Sequence, residues 1–400
     1  MFELSSKMEF PEDQYYRLNR ILLSTIGLWP YDNFKIRYFR FFLSLLIVIS
    51  FTSPQLIKLF DSGNKYDLVI KILCYSIFGV LMFIKYVTFY AILKNVKEFR
   101  ERVRNNWDAL VDNQEIEIVR KHASLGKLFT ICVAIFMFFM TLFYILTQYI
   151  SILLDIVIPL NESRLREPLF VAEYFIDQQK YFHIIAIHMD IGLFCIIIIT
   201  VATETFSLAN AVHAFGLFKV ASYRMEHVLS GLDPQMSITK QYILAHGRII
   251  AAVDFHRRAI EFSELLKASF GPTYLILYAG GVILASINLY HLTQLITKLK
   301  EETLDIMKYA IFLIMVWIYI TLANYAGQEF INSDSKFYRA ICNTRWYDAP
   351  LKIQNLILLL ILKTTKCYKV DAGGMFIPSL EGLATSMSMM VSYFMVLRST

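Results

Sequence analysis

Charge is what this 400-residue chain has least of. Only 18% of its residues are Asp, Glu, Lys or Arg, while 56% are hydrophobic. Soluble domains carry about 25% charged and 45–50% apolar residues. The shortage is concentrated: Ala268–Thr297 is a run of 30 residues without a charge, and Leu128–Leu154 is another of 27. A membrane span needs about 20. A soluble enzyme, a disordered chain and a nucleic-acid binder are therefore excluded as first readings. Enzyme motifs are missing as well: there is no HExxH, no GxSxG and no Walker lysine loop. His183 and His188 are five apart and do not share a helix face, so no metal site is expected, and no cofactor motif is present. Cysteine is sparse: Cys74, Cys132, Cys195, Cys342 and Cys367 are scattered without a CxxC pair, and free thiols are expected. No cleavable signal peptide, internal repeat or low-complexity stretch is visible. Nor do the two halves read as an inverted pair, as many transporters do.

What is present is seven apolar segments. They run at roughly Phe39–Leu59, Leu68–Leu93, Leu128–Ile158, Tyr181–Thr203, Ala268–Thr297, Tyr309–Gln328 and Ala372–Leu397. An eighth run, Ile353–Leu362, is too short to span and reads as a helix buried in protein at the membrane edge. The fold class expected is an all-α membrane protein with seven transmembrane helices. Lys and Arg set the orientation. Residues 1–40 hold six, 94–127 eight, and 215–267 and 327–371 seven each; the alternate loops 58–71, 159–180 and 298–308 hold three each, with Arg398 beyond the last span. The positive-inside rule puts the N-terminus in the cytosol and the C-terminus outside. This asymmetry argues against a G-protein-coupled receptor, whose N-terminus is external. Asn161, in the one N-x-S/T sequon, then falls in an external loop and is a candidate glycosylation site. The long cytosolic loops are helix-compatible, and an intracellular helical anchor bundle is expected from the extended fifth and sixth helices and the short one. Three regions follow: 1–326, six helices forming a ligand-binding region with cytosolic extensions; 327–371, a cytosolic anchor segment; and 372–400, the last span.

Aromatic and methionine side chains are plentiful on the external halves of the spans. Tyr75, Phe78 and Met82 lie on span two, Tyr144 and Gln148 on span three, His188 and Gly192 on span four, and Phe312, Met315 and Tyr319 on span six. Together they are the candidate walls of a pocket for a small apolar ligand, although any one of them singly is more often packing or facing lipid. Asp190, inside span four, is a functional candidate as an intramembrane carboxylate, or a structural residue held by hydrogen bonds or by a salt bridge for which Lys85 is the candidate partner. On span seven, Glu381, Thr385, Ser388, Ser392 and Val396 fall within about 80° of one another at 100° per residue. That stripe has two readings: small polar residues gluing neighbouring helices, or the lining of a narrow pore closed by a valine constriction. One helix does not enclose a pore, so the second reading requires an oligomer around an axis beside span seven.

Several short segments, in order, carry a family resemblance over nearly the whole chain. They are Asn19-Arg20-Ile21-Leu22-Leu23 followed by Gly27-Leu28-Trp29-Pro30; Cys342-Asn343-Thr344-Arg345-Trp346-Tyr347 with Pro350; Lys366-Cys367-Tyr368-Lys369-Val370 with Gly373-Gly374-Met375-Phe376; and Ser392-Tyr393-Phe394. With the topology, they resemble the insect odorant receptors. The resemblance implies a ligand-gated, non-selective cation channel, built as a tetramer around a pore lined by the last helix. It implies assembly with a shared co-receptor subunit, through contacts in which Trp346, Tyr347, Leu358 and Tyr368 are the candidates. The loop between spans four and five is shorter than that subunit's, which makes this chain similar to an odorant-tuning subunit. Val396 aligns with the family's hydrophobic gate, and Thr400 stands one turn on, where a second apolar gate residue can occur. The implied setting is the plasma membrane of a sensory dendrite, with lipid around the chain. The related gustatory receptors share the fold and are the nearest alternative; a small-molecule transporter is the third.

Overall fold

The computed structural model describes the chain apart from residues 1–11, 64, 159–163, 165, 167, 233–234, 299–302 and 400. Asn161 and Thr400 lie outside the described residues. Among the described residues, a π-helical turn at Glu12–Tyr16 is followed by eleven α-helices: α1 Arg17–Thr25, α2 Phe34–Asp61, α3 Tyr66–Ala91, α4 Leu93–Asp108, α5 Asn113–Gln148, α6 Ile150–Val157, α7 Phe182–Glu226, α8 Ile238–Lys298, α9 Thr303–Asn343, α10 Leu351–Thr364 and α11 Leu380–Ser399. Seven of the described helices (α2, α3, α5, α7, α8, α9 and α11) are long and apolar enough to cross a membrane.

Two features differ from the expected spans. The helices run far past the apolar blocks: α7 has 45 residues and α8 has 61. At 1.5 Å per residue they reach about 68 and 92 Å, against roughly 30 Å of hydrocarbon. The helical neck expected from the fifth and sixth helices therefore also includes the fourth and the start of the third. The last span, in contrast, is shorter than its composition suggested. Residues 372–378 form a turn closed by the Ala372–Phe376 bridge, with Gly373 and Gly374 at φ 62° and 73°, and α11 starts only at Leu380. Positive φ and Pro378 stop a helix that apolar character alone would have extended.

α7 is the central post. Its buried face includes Ile196, Val201, Ala214, Leu217 and Ala221, against α2, α5, α8 and α9. Small residues let backbones approach: a Cβ on Gly126 would lie 3.6 Å from Cα of Ala209. At the end holding α1, α4 and α10, here the basic end, charged and polar groups join the helices. Asn19 Nδ2 donates to Thr205 Oγ1 at 3.0 Å. Arg224 clamps Glu115 through Nε at 2.7 Å and Nη2 at 2.8 Å, with its guanidinium 3.9 Å from the Phe255 ring centre. His256 Nε2 lies 2.8 Å from Asp334 Oδ1, whose other oxygen accepts the Tyr368 amide at 2.7 Å. Burial tends to raise the Glu115 carboxyl, but the Arg224 guanidinium outweighs it and holds the group below its ordinary range. The short helix α10 buries Ile353 and Ile357 against this bundle and leaves Leu351, Leu358, Leu359 and Leu362 exposed.

At the opposite end the loop after α6 folds inward. The Glu173 amide donates to the Pro54 carbonyl at 2.9 Å, and Lys58 Nζ reaches Glu173 Oε2 at 2.7 Å. This places buried Phe170 against Phe51, Tyr75 and Tyr144, with ring centres 5.3, 4.8 and 6.1 Å away.

Candidate functional site

Helical spacing gathers the site. Phe78, Met82 and Lys85 recur at i, i+4 and i+7 on α3, and Phe312, Met315 and Tyr319 at i, i+3 and i+7 on α9, so each trio shares a face. With Thr200 and Glu204 on α7 and Tyr274 and Tyr278 on α8, they surround a cavity of about 300 Å³. That is at the lower end of small-ligand sites. Five of the ten candidate wall residues line it: Phe78, Met82, Phe312, Met315 and Tyr319. Tyr75 and Tyr144 do not. They form an aromatic ceiling, with the Tyr144 hydroxyl donating to that of Tyr75 at 2.8 Å and the Tyr75 ring 5.8 Å from Phe312. Gln148, His188 and Gly192 lie away from the cavity walls. Gln148 and Tyr149 hydrogen-bond the two oxygens of Asp190. His188 sits between the Tyr174 hydroxyl at 2.9 Å and Ser50 Oγ at 3.1 Å. A Cβ at Gly192 would collide with Phe51.

The suggested Asp190–Lys85 pair is corrected. Asp190 is occupied by Gln148 and Tyr149, while Lys85 pairs with Glu204. A 4-residue step along α7 from Thr200 puts Glu204 opposite Lys85, and Tyr274 Oη donates to its second oxygen at 3.0 Å. Glu204 lies one residue past the expected end of span four and was missed for that reason. The rule that flagged Asp190, a carboxylate within apolar helix, would have found it had the helix been read further. Tyr274, Tyr278 and Phe376 had no signal in the sequence, because only the packing of α8 and the 372–378 turn brings them to the wall.

The cavity reaches the turn before α11. Val370, Ala372, Phe376 and Pro378 line its basic end. The Phe376 ring stacks on Tyr278 at 4.0 Å, and the Tyr278 hydroxyl pairs with Ser386 of α11 at 2.5 Å. Ser286 Oγ donates to the Met390 carbonyl at 3.2 Å. Ser386 and Met390 are thus the side of α11 packed on its own bundle. Glu381, Thr385, Ser388, Ser392 and Val396 are all exposed, and the three hydroxyls bond back to carbonyls four residues earlier. Within one chain, then, the stripe is not packing glue.

Of the candidate assembly residues, Tyr347 and Leu358 are exposed and Trp346 is half-buried. Tyr368 instead turns inward, 6.5 Å from the Phe218 ring.

An all-α bundle with seven described helices long and apolar enough to cross a membrane, holding a cavity that reaches the turn before its last helix, defines a multi-pass membrane protein. The family follows from the sequence: the profile of the 7tm odorant receptor family matches residues 65–391, and the chain belongs to that family. Its fold is similar to that of the insect olfactory receptor OR5 from Machilis hrabei in complex with eugenol, with a TM-score of 0.76 and 14% identity over 97% of this chain and 98% of that one. A second structure of the same receptor gives 0.74 and 15%, over 96% and 97%. No curated protein matches the chain.

Proposed function

We propose that the chain is the odorant-tuning subunit of a ligand-gated, non-selective cation channel, assembled with a co-receptor subunit as a hetero-tetramer. A small apolar or volatile ligand enters the cavity between α3, α7, α8 and α9 and opens a pore lined by α11. The single observation that carries this reading is the continuity of the site: one cavity touches both Phe312 on α9 and Phe376 in the turn that leads into α11. A ligand swelling or filling that cavity bears directly on the element that positions the pore helix. The exposed stripe from Thr385 to Val396 supports α11 as the lining. The exposed leucines of α10 support 327–371 as the anchor through which subunits meet. Residues 1–326 are then the ligand-binding region and 372–400 the pore element. The basic loops support a cytosolic N-terminus in the plasma membrane of a sensory cell. That the similar receptor was solved with eugenol supports a ligand of that size class.

The test is patch recording from cells expressing the chain with and without a co-receptor, during application of volatile ligands. Ligand-evoked cation current that requires this chain is expected. A saturable flux without channel openings, or an N-terminal tag stained on intact cells, refutes it.

A further inference from the structure

The cavity wall is mostly apolar, with charged or amide groups at three places. At the basic end Lys267 pairs with Asp371 at 2.6 Å, and Asn324 is engaged by the Ile320 carbonyl and the Ser379 amide. The third place lies deeper among the helices. Lys85 and Glu204, with side chains 6% and 18% exposed, form an ion pair at the wall, and the Lys85 ammonium also sits 5.8 Å from the centre of the Tyr319 ring. The surrounding hydroxyls differ in what they have left to give. Tyr274 is fully engaged, donating to Glu204 and meeting Ser207 Oγ at 2.7 Å. Thr200 bonds the Ile196 carbonyl at 2.9 Å. The Tyr319 hydroxyl is buried beside Glu204 yet makes no hydrogen bond of ordinary geometry. Lys85 carries three hydrogens, of which Glu204 takes one among the described residues. Unused capacity at this pole is therefore donor-rich, while its net charge is zero.

We propose that this pole selects the ligand's head group. The chain takes uncharged molecules with one hydrogen-bond-accepting oxygen (alcohol, aldehyde or ketone), which accepts from the Tyr319 hydroxyl, while the hydrocarbon part lies against Phe78, Phe312 and Met315. The proposal rests on the cavity being the ligand site. A carboxylate or ammonium would bring an uncompensated charge into a mostly apolar enclosure whose own charges already cancel in two ion pairs, and the desolvation cost excludes it. A hydrocarbon fits the walls but leaves the buried Tyr319 hydroxyl unmatched.

Five matched probes test it: 1-octanol, octanal, n-octane, octanoate and octylamine, titrated against the purified full-length receptor in nanodiscs, with the thermal unfolding midpoint as the readout. Octanol and octanal should bind roughly 3- to 10-fold more tightly than octane, the worth of one neutral hydrogen bond. Octanoate and octylamine should bind more weakly than octane. Tyr319→Phe, which removes one oxygen, should bring octanol and octane to within about twofold without weakening octane. Phe78→Ala should weaken all three uncharged probes alike and keep their order. Tightest binding by octanoate, octylamine or octane overturns the proposal, as does an unchanged octanol preference in Tyr319→Phe or no binding by any probe. The ranking in the unmodified receptor decides the matter even if a variant does not fold. Binding in the expected order without ligand-evoked current leaves the head-group assignment standing and removes the channel reading. Current that ignores the head group does the reverse.

Discussion

Removing one partner of the Lys85–Glu204 pair should be far more damaging than removing both. With side chains 6% and 18% exposed, both ions have given up most of their hydration. Glu204→Leu would strand the Lys85 ammonium with the Tyr319 ring 5.8 Å away, and would take from the Tyr274 hydroxyl the carboxylate it donates to. Breaking a buried pair in this way costs about 3–5 kcal/mol, or roughly two to four decades in the ratio of folded to unfolded receptor. Lys85→Met together with Glu204→Leu removes both charges and keeps comparable volume. It should recover most of the loss, because a buried pair exchanged for well-packed apolar groups is often neutral or better. The assay is thermal unfolding of the purified protein, with surface expression as a check in cells. A single variant that loses less than about 1 kcal/mol would show that the pair is hydrated rather than buried. A double variant as unstable as the single would show that the pair organises α3 and α7 beyond its own charges.

Three further outcomes are expected. Val396→Thr should wet the pore constriction and give standing current without ligand, and a charged thiol reagent applied from outside should modify a Cys placed at 396 but not one at 395; insensitivity at 396, 392 and 388 alike would remove α11 from the pore. Leu358→Asp should abolish oligomers on a native gel while leaving membrane insertion intact, because Leu358 is exposed in the single chain and Ile353 and Ile357 on the other face hold the helix; normal tetramers would refute this. The Glu115 carboxyl is held low by Arg224, so its stabilising contribution should be complete above the unfolded value of about 4.3 and fade as pH falls through the lower folded value; the acid limb of stability against pH should flatten in Glu115→Gln, and an unchanged limb would count against the clamp.

The number and order of the membrane helices were legible in the sequence because a helix in lipid must satisfy its own backbone and cover itself with apolar side chains, and both demands are local. The aromatic faces of α3 and α9 were legible for the same reason, since Phe78, Met82, Phe312 and Met315 share helix faces by period alone. Where those helices end was not. α7 continues to Glu226 because its lower half packs among protein helices rather than lipid, where mixed polarity is tolerated. The partner of Lys85 was likewise decided only in three dimensions: Asp190 and Glu204 are both carboxylates of one helix, and the crossing of α3 with α7 chose Glu204. Composition made residues 372–379 look like span, while two glycines at positive φ made them a turn against the cavity. The sequence by itself determined which segments enter the bilayer and which faces are apolar. Tertiary structure decided which of those faces meet, because that depends on crossing and register between helices distant in the chain, which no local period encodes.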